Sequence, residues 1–525
     1  MEREVVEPTG PGPEVTGATE SLARAGGATL CGLAAVGVEV EVRVLRGLLG
    51  LVKIIGLPDS ALRESRERVA SAIKAAGLAF PDRSLLVNLA PAELRKVGPG
   101  LDLPIAAAIL AATGQLPAES LVRPLLFGEV ALDGRVRPVR GAVPVALYAR
   151  QQGRPLLLPR SALPEVALVQ GLEAIAVDHL ADVVALLRGE RPWRRSELPS
   201  IAPPPPDHEA WDAIVGQDEA KKAMLVAASG GHHVLLSGPP GSGKSMLARS
   251  LDALLPDLDD AEALEISCIH SAAGLPARTG TRRPPLRAPH CSVTLAGMVG
   301  GGMVPRPGEL TLAHRGVLFL DELPQFRREV VDLLRAPLEE GEVLLARAGR
   351  SLRFPARFQL VAAMNPCPCG NAGEPGIACS CSPAQILRHR ARVSGPVLDR
   401  IDVSMRVPFV PADRRRASPS ELRLAAARSR VGEVRRRTLE RNGARLNAEI
   451  PPSELDAICR LDGASGDWLA ATIDRLRLSL RAHHRLLRVA RTLADLDLAE
   501  EISRGHLARA LSFREPQFER AAASA

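Results

Sequence analysis

Apolar positions along this chain change period several times, and each change marks a new element. Val36–Leu45 alternates apolar and polar residues, the period-two pattern of a strand with one buried face. Ser60–Ala76 spaces its apolar residues by helical turns, and Ser84–Leu89 is a second short strand. Leu103–Ala112 is apolar throughout and predicts a buried helix, whereas Gly128–Pro138 predicts a strand and a turn. Further on, His233–Leu236, Gly316–Leu320 and Phe358–Met364 are short apolar runs of the kind that fill a central parallel sheet. Met246–Leu254 predicts a helix, and beyond Val407 the pattern is helical to the end, rich in Ala, Leu and Arg.

These periods predict an α/β protein of several parts. A loose, acidic tail at residues 1–20 precedes a mixed α/β domain at 21–190. The segment 191–210 contains Pro203–Pro206 and is a proline-rich linker. A second α/β domain spans 211–407, followed by a helical domain at 408–525. A chain of 525 residues is too long for one core.

Composition narrows the classes. With 46% hydrophobic and 24% charged residues the chain is globular. No apolar run approaches the ~20 residues of a membrane span, and the N-terminus has neither a basic start nor an apolar stretch, so a cytoplasmic protein without a membrane partner is expected. The net charge of +7 permits a polyanionic partner. Eleven arginines between Arg414 and Arg445, against three acids, leave two readings open, a nucleic-acid contact or a solvated helical face. Aromatic residues are only 2%, which points any such contact to phosphates and not to stacked bases.

The chemistry concentrates in the second domain. Gly238-Pro239-Pro240-Gly241-Ser242-Gly243-Lys244-Ser245 is a phosphate loop between a strand and a helix. Its glycines let backbone N–H groups wrap phosphates, Lys244 can reach the β- and γ-phosphates of ATP, and Ser245 can ligate Mg²⁺. Asp321 and Glu322 end the apolar run that begins at Gly316. Asp321 is a candidate for holding Mg²⁺ through water, and Glu322 for polarising the attacking water. Asn365 ends the next buried strand and suits a γ-phosphate sensor. Arg400 sits where an arginine can stabilise charge on a neighbouring subunit's nucleotide; a bond to Asp399 or Asp402 is the structural alternative.

Three further segments carry a family resemblance: Pro305–His314, Asn365-Pro-Cys-Pro-Cys-Gly370 and Ser394–Asp402. Together with the phosphate loop they resemble the magnesium-chelatase-like AAA+ proteins of the ComM/YifB family, over nearly the whole chain. The resemblance implies a homo-oligomeric ring, a hexamer in that family, and in its competence member a helicase that drives branch migration of DNA during natural transformation. It places Gly216 and Gln217 beside the adenine, and makes Arg481 and Arg488 alternative second-sensor arginines in the helical lid. It also implies two insertions facing the ring's pore, Val293–Leu310 and Glu342–Phe354. The second carries Arg347, Arg350 and Arg353, suited to phosphate contacts with DNA. One departure is Cys291, where the family has the second of two paired histidines beside His290.

Rival functions are a metal-insertion motor like the ATPase subunit of magnesium chelatase, against which the N-terminal domain argues, an ATP-dependent protease, and a non-catalytic scaffold. The N-terminal segments Val97–Pro104 and Gly128–Pro138 resemble a Lon proteolytic domain. The serine expected after Gly98-Pro99 is Gly100, however, and Arg140–Ala146 contains no lysine. Lys53, Lys74 and Lys96 read as solvated surface residues. Finally, Cys367, Cys369, Cys379 and Cys381 form two Cys-x-Cys pairs on one loop. Structural Zn²⁺ and free thiols both stand as readings, and the other four cysteines are scattered.

Overall fold

The computed structural model describes residues 22–49, 51–199, 211–275, 282–302, 305–347, 350–411 and 422–514, except for the side chains of 46–49, 346, 347 and 350. The expected tail at 1–20, the run of four prolines and Arg414–Arg416 lie outside these residues. The chain divides between Pro199 and Ser200 into two compact units.

The N-terminal unit is built on a seven-stranded mixed sheet. Its centre is a long antiparallel pair, Leu22–Cys31 with Ala34–Leu49, which turns at Gly32 with φ +65°. The first of these strands went unrecognised in the sequence because it is rich in Ala and Gly, and long-range pairing, not propensity, makes it extended. Arg83–Ala90 pairs on the other side of Ala34–Leu49, and Val52–Ile55 lies parallel to it at that edge. Three short parallel strands, Leu125–Leu126, Leu156–Pro159 and Ala174–Val177, complete the sheet beyond Leu22–Cys31. The helices Ser60–Ala75 and Asp102–Ala112 form as their patterns predict, and every residue of the second is buried.

One N-terminal side chain departs from expectation. Lys96 is fully buried, and its Nζ donates to the Pro91 carbonyl, so it is not a solvated lysine. Burial lowers its pKa. Asp102, inside the Lon-like motif, is also fully buried. It accepts from Arg68 Nε at 2.9 Å and from Ser65 Oγ, which ties the two helices together.

The C-terminal unit contains a five-stranded, all-parallel sheet. Its order is Leu286–Arg287, Val317–Leu320, Gln359–Met364, Val234–Ser237, Val403–Arg406. Side chains of the three central strands are buried, which explains their unbroken apolar runs. The helix after the phosphate loop is shorter than expected. It breaks at Ser250, whose hydroxyl donates back to the Leu247 carbonyl, into Lys244–Arg249 and Leu251–Leu254. Four longer helices, Leu424–Arg441, Gly463–Leu476, Leu480–Leu496 and Arg504–Ser512, follow the sheet and share its core.

Several arginines on Leu424–Arg441 are bonded within the chain, so this helix is not simply a solvated face. Arg428 pairs with Asp257, Arg435 donates to the Ala228 carbonyl, Arg436 pairs with Glu440, and Arg441 grips Asp495 and Asn447. Among the described residues, no helix is long and apolar enough to cross a membrane.

Candidate active site

Parallel strands release their C-terminal ends on one edge, and here that edge gathers the candidate residues. The strand order sets Gln359–Met364 between the carboxylate strand and the phosphate-loop strand. Residues more than a hundred positions apart in the chain therefore become neighbours. The Gly238 N–H donates to the Met364 carbonyl at 3.3 Å, joining the phosphate loop to the strand that ends on Asn365.

Within the loop, Lys244 is only 8% exposed and its Nζ donates to the carbonyls of Gly238 and Pro239 at 2.8 and 2.7 Å. Burial lowers its pKa, against the opposing pull of Asp321 and Glu322. Gly241 and Gly243 have φ +73° and +92°, and a Cβ on either would point into open space. Side chains are absent there for backbone conformation, and the cradle they form is free to take a ligand. The Ser242 hydroxyl is buried without a hydrogen-bond partner. A cradle of this shape with an unsatisfied buried hydroxyl fits a phosphate chain.

The two candidate Mg²⁺ ligands meet directly, with Ser245 Oγ donating to Asp321 Oδ2 at 2.8 Å. Such a pair of oxygens suits a hard cation. Glu322 follows with φ +54°, a left-handed conformation that costs a non-glycine residue about 1–2 kcal/mol. Its N–H donates to Asp321 Oδ1 at 3.0 Å. This strained turn holds the two carboxylates at the strand's end, an arrangement able to hold a metal with one and activate water with the other.

Other candidates are placed differently. Gln217 Nε2 donates to the carbonyls of Ser242 and Pro408 at 3.0 and 2.8 Å, so its amide braces the phosphate loop, and Gly216 packs beside Val410. Arg400 pairs with Glu339 and with neither Asp399 nor Asp402, and its Nη1 donates to the Pro396 carbonyl at 2.5 Å. Asp402 instead contacts His232 at 3.2 Å, and Asp399 lies 3.6 Å from Arg485. Arg488 donates to the Ile450 carbonyl at 2.9 Å, while Arg481 is exposed in the first turn of the same helix. His290 contacts the Ser292 hydroxyl at 2.8 Å.

Two residues near the site went unnoticed in the sequence. Arg485, between the two second-sensor candidates, donates to the Ile401 carbonyl at 2.8 Å and so touches the Arg400 segment. His389 Nε2 bonds the Asn365 carbonyl at 3.1 Å. A position midway between Arg481 and Arg488 on one helix was the available signal for Arg485; His389 offered none.

The insertions form small hairpins. One pairs Gly300–Gly301 with Arg306–Pro307, and the other pairs Glu342–Arg347 with Arg350–Pro355. Arg353 is largely exposed and pairs with Glu342 at 3.2 Å; the side chains of Arg347 and Arg350 lie outside the described residues.

Directly after Asn365, the four cysteines converge. Their sulfurs all lie within 4.8 Å of one another, with Cys367, Cys369 and Cys379 separated by 3.4, 3.7 and 3.6 Å. A tetrahedron with Zn–S bonds of 2.3 Å has edges of about 3.8 Å, so the four thiols fit that ion. A backbone N–H from Asn371 and the Cys367 contact bring the Cys369 thiol down to about 5. The Cys369 N–H favours the Cys381 thiolate, but burial and the sulfurs of Cys369 and Cys367 push Cys381 up to about 11. Thiolates this close resist a common charge, which a cation would relieve. The loop also leans on the phosphate loop: a Cβ on Gly370 would lie 2.3 Å from Pro240 Cδ.

Residues 210–415 match the family model described as magnesium chelatase, subunit ChlI. Residues 40–162 match one described as subunit ChlI of Mg-chelatase, and 423–514 match its C-terminal model. The chain is 43% identical over 486 residues to YifB of Escherichia coli, covering 92% of this chain and 95% of that protein. It is 41% identical over 489 residues to the competence protein ComM of Haemophilus influenzae, covering 91% and 94%. Against the magnesium-chelatase 38 kDa subunit of Rhodobacter capsulatus it is 33% identical over 324 residues, 57% of this chain and 84% of that one. Residues 40–162 match a model named for a chelatase subunit, yet 84% of the 38 kDa subunit itself is accounted for by 57% of this chain, so this chain is much the longer of the two.

Proposed function

The chain belongs to the YifB/ComM family of magnesium-chelatase-like AAA+ ATPases, and on that premise we propose that it is a ring-forming ATP hydrolase acting on DNA. The observation that carries the ATPase reading is the meeting of Ser245 with Asp321 at 2.8 Å below an open phosphate cradle. In this reading Lys244 binds the β- and γ-phosphates, Ser245 and Asp321 hold Mg²⁺, and Glu322 takes the proton of the attacking water while Asn365 orients it. Arg400 serves the nucleotide of a neighbouring subunit once assembly draws it from Glu339. Arg481 or Arg488 senses the nucleotide from the lid.

For DNA, support comes from the exposed Arg353 on its hairpin and from the likeness to a competence protein. The substrate class we propose is branched or single-stranded DNA, moved by branch migration. ATPase activity should be measured alone and with single-stranded, duplex and four-way-junction DNA. Stimulation supports the reading, and none at low salt sinks it.

The second reading, a metal-insertion motor, is favoured by the chelatase descriptions of all three family models. Stimulation by a porphyrin-handling partner instead of DNA would promote it. Proteolysis has a physical objection, because a Cβ on Gly100 would lie 2.4 Å from the Phe127 ring, leaving no room for a serine. We assign the N-terminal unit a collar role in assembly, so deletion of residues 1–202 should leave some ATPase activity but poor ring formation. The cysteine loop we assign to structural Zn²⁺. Elemental analysis of protein purified without chelator should find one zinc per chain; well under one, with four titrating thiols, removes it.

A further inference from the structure

A cleft of about 450 Å³ in the C-terminal unit is lined by Pro324, Gln325, Phe326, Arg328, Arg388 and Arg392, together with Ala391. None of these residues enters the roles assigned above. One wall begins two residues after Glu322. The other is the end of the helix Pro383–Arg390 and the turn beyond it. Among the described residues, no carboxylate lies within ion-pair distance of Arg388 or Arg392, and both are exposed. Arg328 is 77% exposed, with its Nε a distant 3.8 Å from Asp332.

Three guanidinium groups thus line one concavity, and among the described residues their one ion pair is the loose contact of Arg328 with Asp332, which pairs more closely with Arg335. A helix C-terminus carries about half a negative charge, and Arg388 and Arg390 in the last turn already exceed it. The arginines of the two walls repel one another until an anion enters, and guanidinium forks match phosphate oxygens in pairs. Phe326 is 4% exposed, so the cleft offers no ring on which a base could stack. The opening suits a sugar–phosphate backbone gripped through its phosphate.

Both walls connect to the candidate hydrolytic residues. The 3₁₀ turn Leu323–Gln325 follows Glu322 directly, and the Gln325 N–H donates to the Glu322 carbonyl at 2.7 Å. The opposite helix hangs on the end of the Asn365 strand through His389, at 3.1 Å from the Asn365 carbonyl, and through Arg390, at 3.4 Å from the Pro366 carbonyl. An anion bridging Arg328 to Arg388 and Arg392 would therefore pull on the segments carrying Glu322 and Asn365 together.

We propose that this cleft binds a backbone phosphate of nucleic acid and reports its presence to the ATP site. The proposal rests on the DNA reading above and adds a contact site and a route of coupling to it. The test compares the full-length protein with the Arg388→Ala/Arg392→Ala double variant and the charge-conserving Arg388→Lys/Arg392→Lys variant. Affinity for a fluorescent single-stranded oligonucleotide is measured from 50 to 300 mM salt, with ring assembly followed by mass photometry. The alanine variant should bind several-fold more weakly, with the slope of log affinity against log salt smaller by about 1, and the lysine variant should recover most of that slope. Unchanged affinity and slope in the alanine variant would overturn the proposal while leaving the DNA reading intact. Lost assembly at unchanged affinity assigns the cleft to a neighbouring subunit and also overturns it. Wild-type protein that binds no oligonucleotide at low salt overturns both.

Discussion

Substituting Gly370 by alanine tests whether the cysteine loop and the phosphate loop are mechanically one unit. Gly370 has φ +84°, and its added methyl would meet Pro240 Cδ at 2.3 Å. The left-handed backbone costs an alanine about 1–2 kcal/mol. Forcing a methyl against a proline ring, which cannot swing away, adds about 1–3 kcal/mol. Gly376 is the internal control. It lies in the same loop at φ +78°, with nothing within 4 Å of a Cβ, so Gly376→Ala incurs only the backbone cost. Chemical denaturation should show Gly370→Ala to be the less stable by about 1–3 kcal/mol. Relief of the contact requires the loop at Pro240 to move. If the nucleotide demands the native loop, that strain reappears as a roughly 5- to 150-fold weaker Kd for a fluorescent ATP analogue. Gly376→Ala should bind the analogue as the wild type does. Equal nucleotide affinities for the two variants would refute the mechanical link.

The remaining predictions address the assigned roles. Lys244→Ala should abolish turnover, whereas Glu322→Gln should still bind ATP and accumulate assembled rings; turnover at the wild-type rate in Glu322→Gln would exclude the base assignment. Mixing Arg400→Ala with Lys244→Ala subunits should recover partial ATPase activity if Arg400 acts across subunits, and none if it only pairs with Glu339. Glu265 is held at about 2 by His314 and then by Arg315, well below its ordinary 4.5. Because its folded pKa is depressed, its stabilisation is complete above 4.5 and is lost as pH falls toward 2. The shift corresponds to about 3 kcal/mol, of which roughly 1–2 survives screening of a carboxylate 38% exposed. Glu265→Gln should flatten the acid limb of the unfolding free energy by that amount; an unchanged limb would refute the link.

The local chemistry of this chain is legible in its sequence. A phosphate loop is a contiguous string, and Gly238–Ser245 carries its glycines, lysine and hydroxyl within eight positions. The apolar run ending in Asp321-Glu322 and the buried helix after Asp102 were legible for the same reason, since period and composition are read over short windows. Tertiary structure decided which of these strings meet. Nothing local says that Gln359–Met364 inserts between Val317–Leu320 and Val234–Ser237, yet that order alone brings Asn365, Asp321 and the phosphate loop to one edge. The partners of charges were equally hidden. Glu339 for Arg400, Asp495 for Arg441 and the full burial of Lys96 depend on packing between segments distant in the chain. A charge on a helix looks the same in sequence whether it faces water or a carboxylate from another helix, because Coulomb attraction and desolvation act through space and not along the chain.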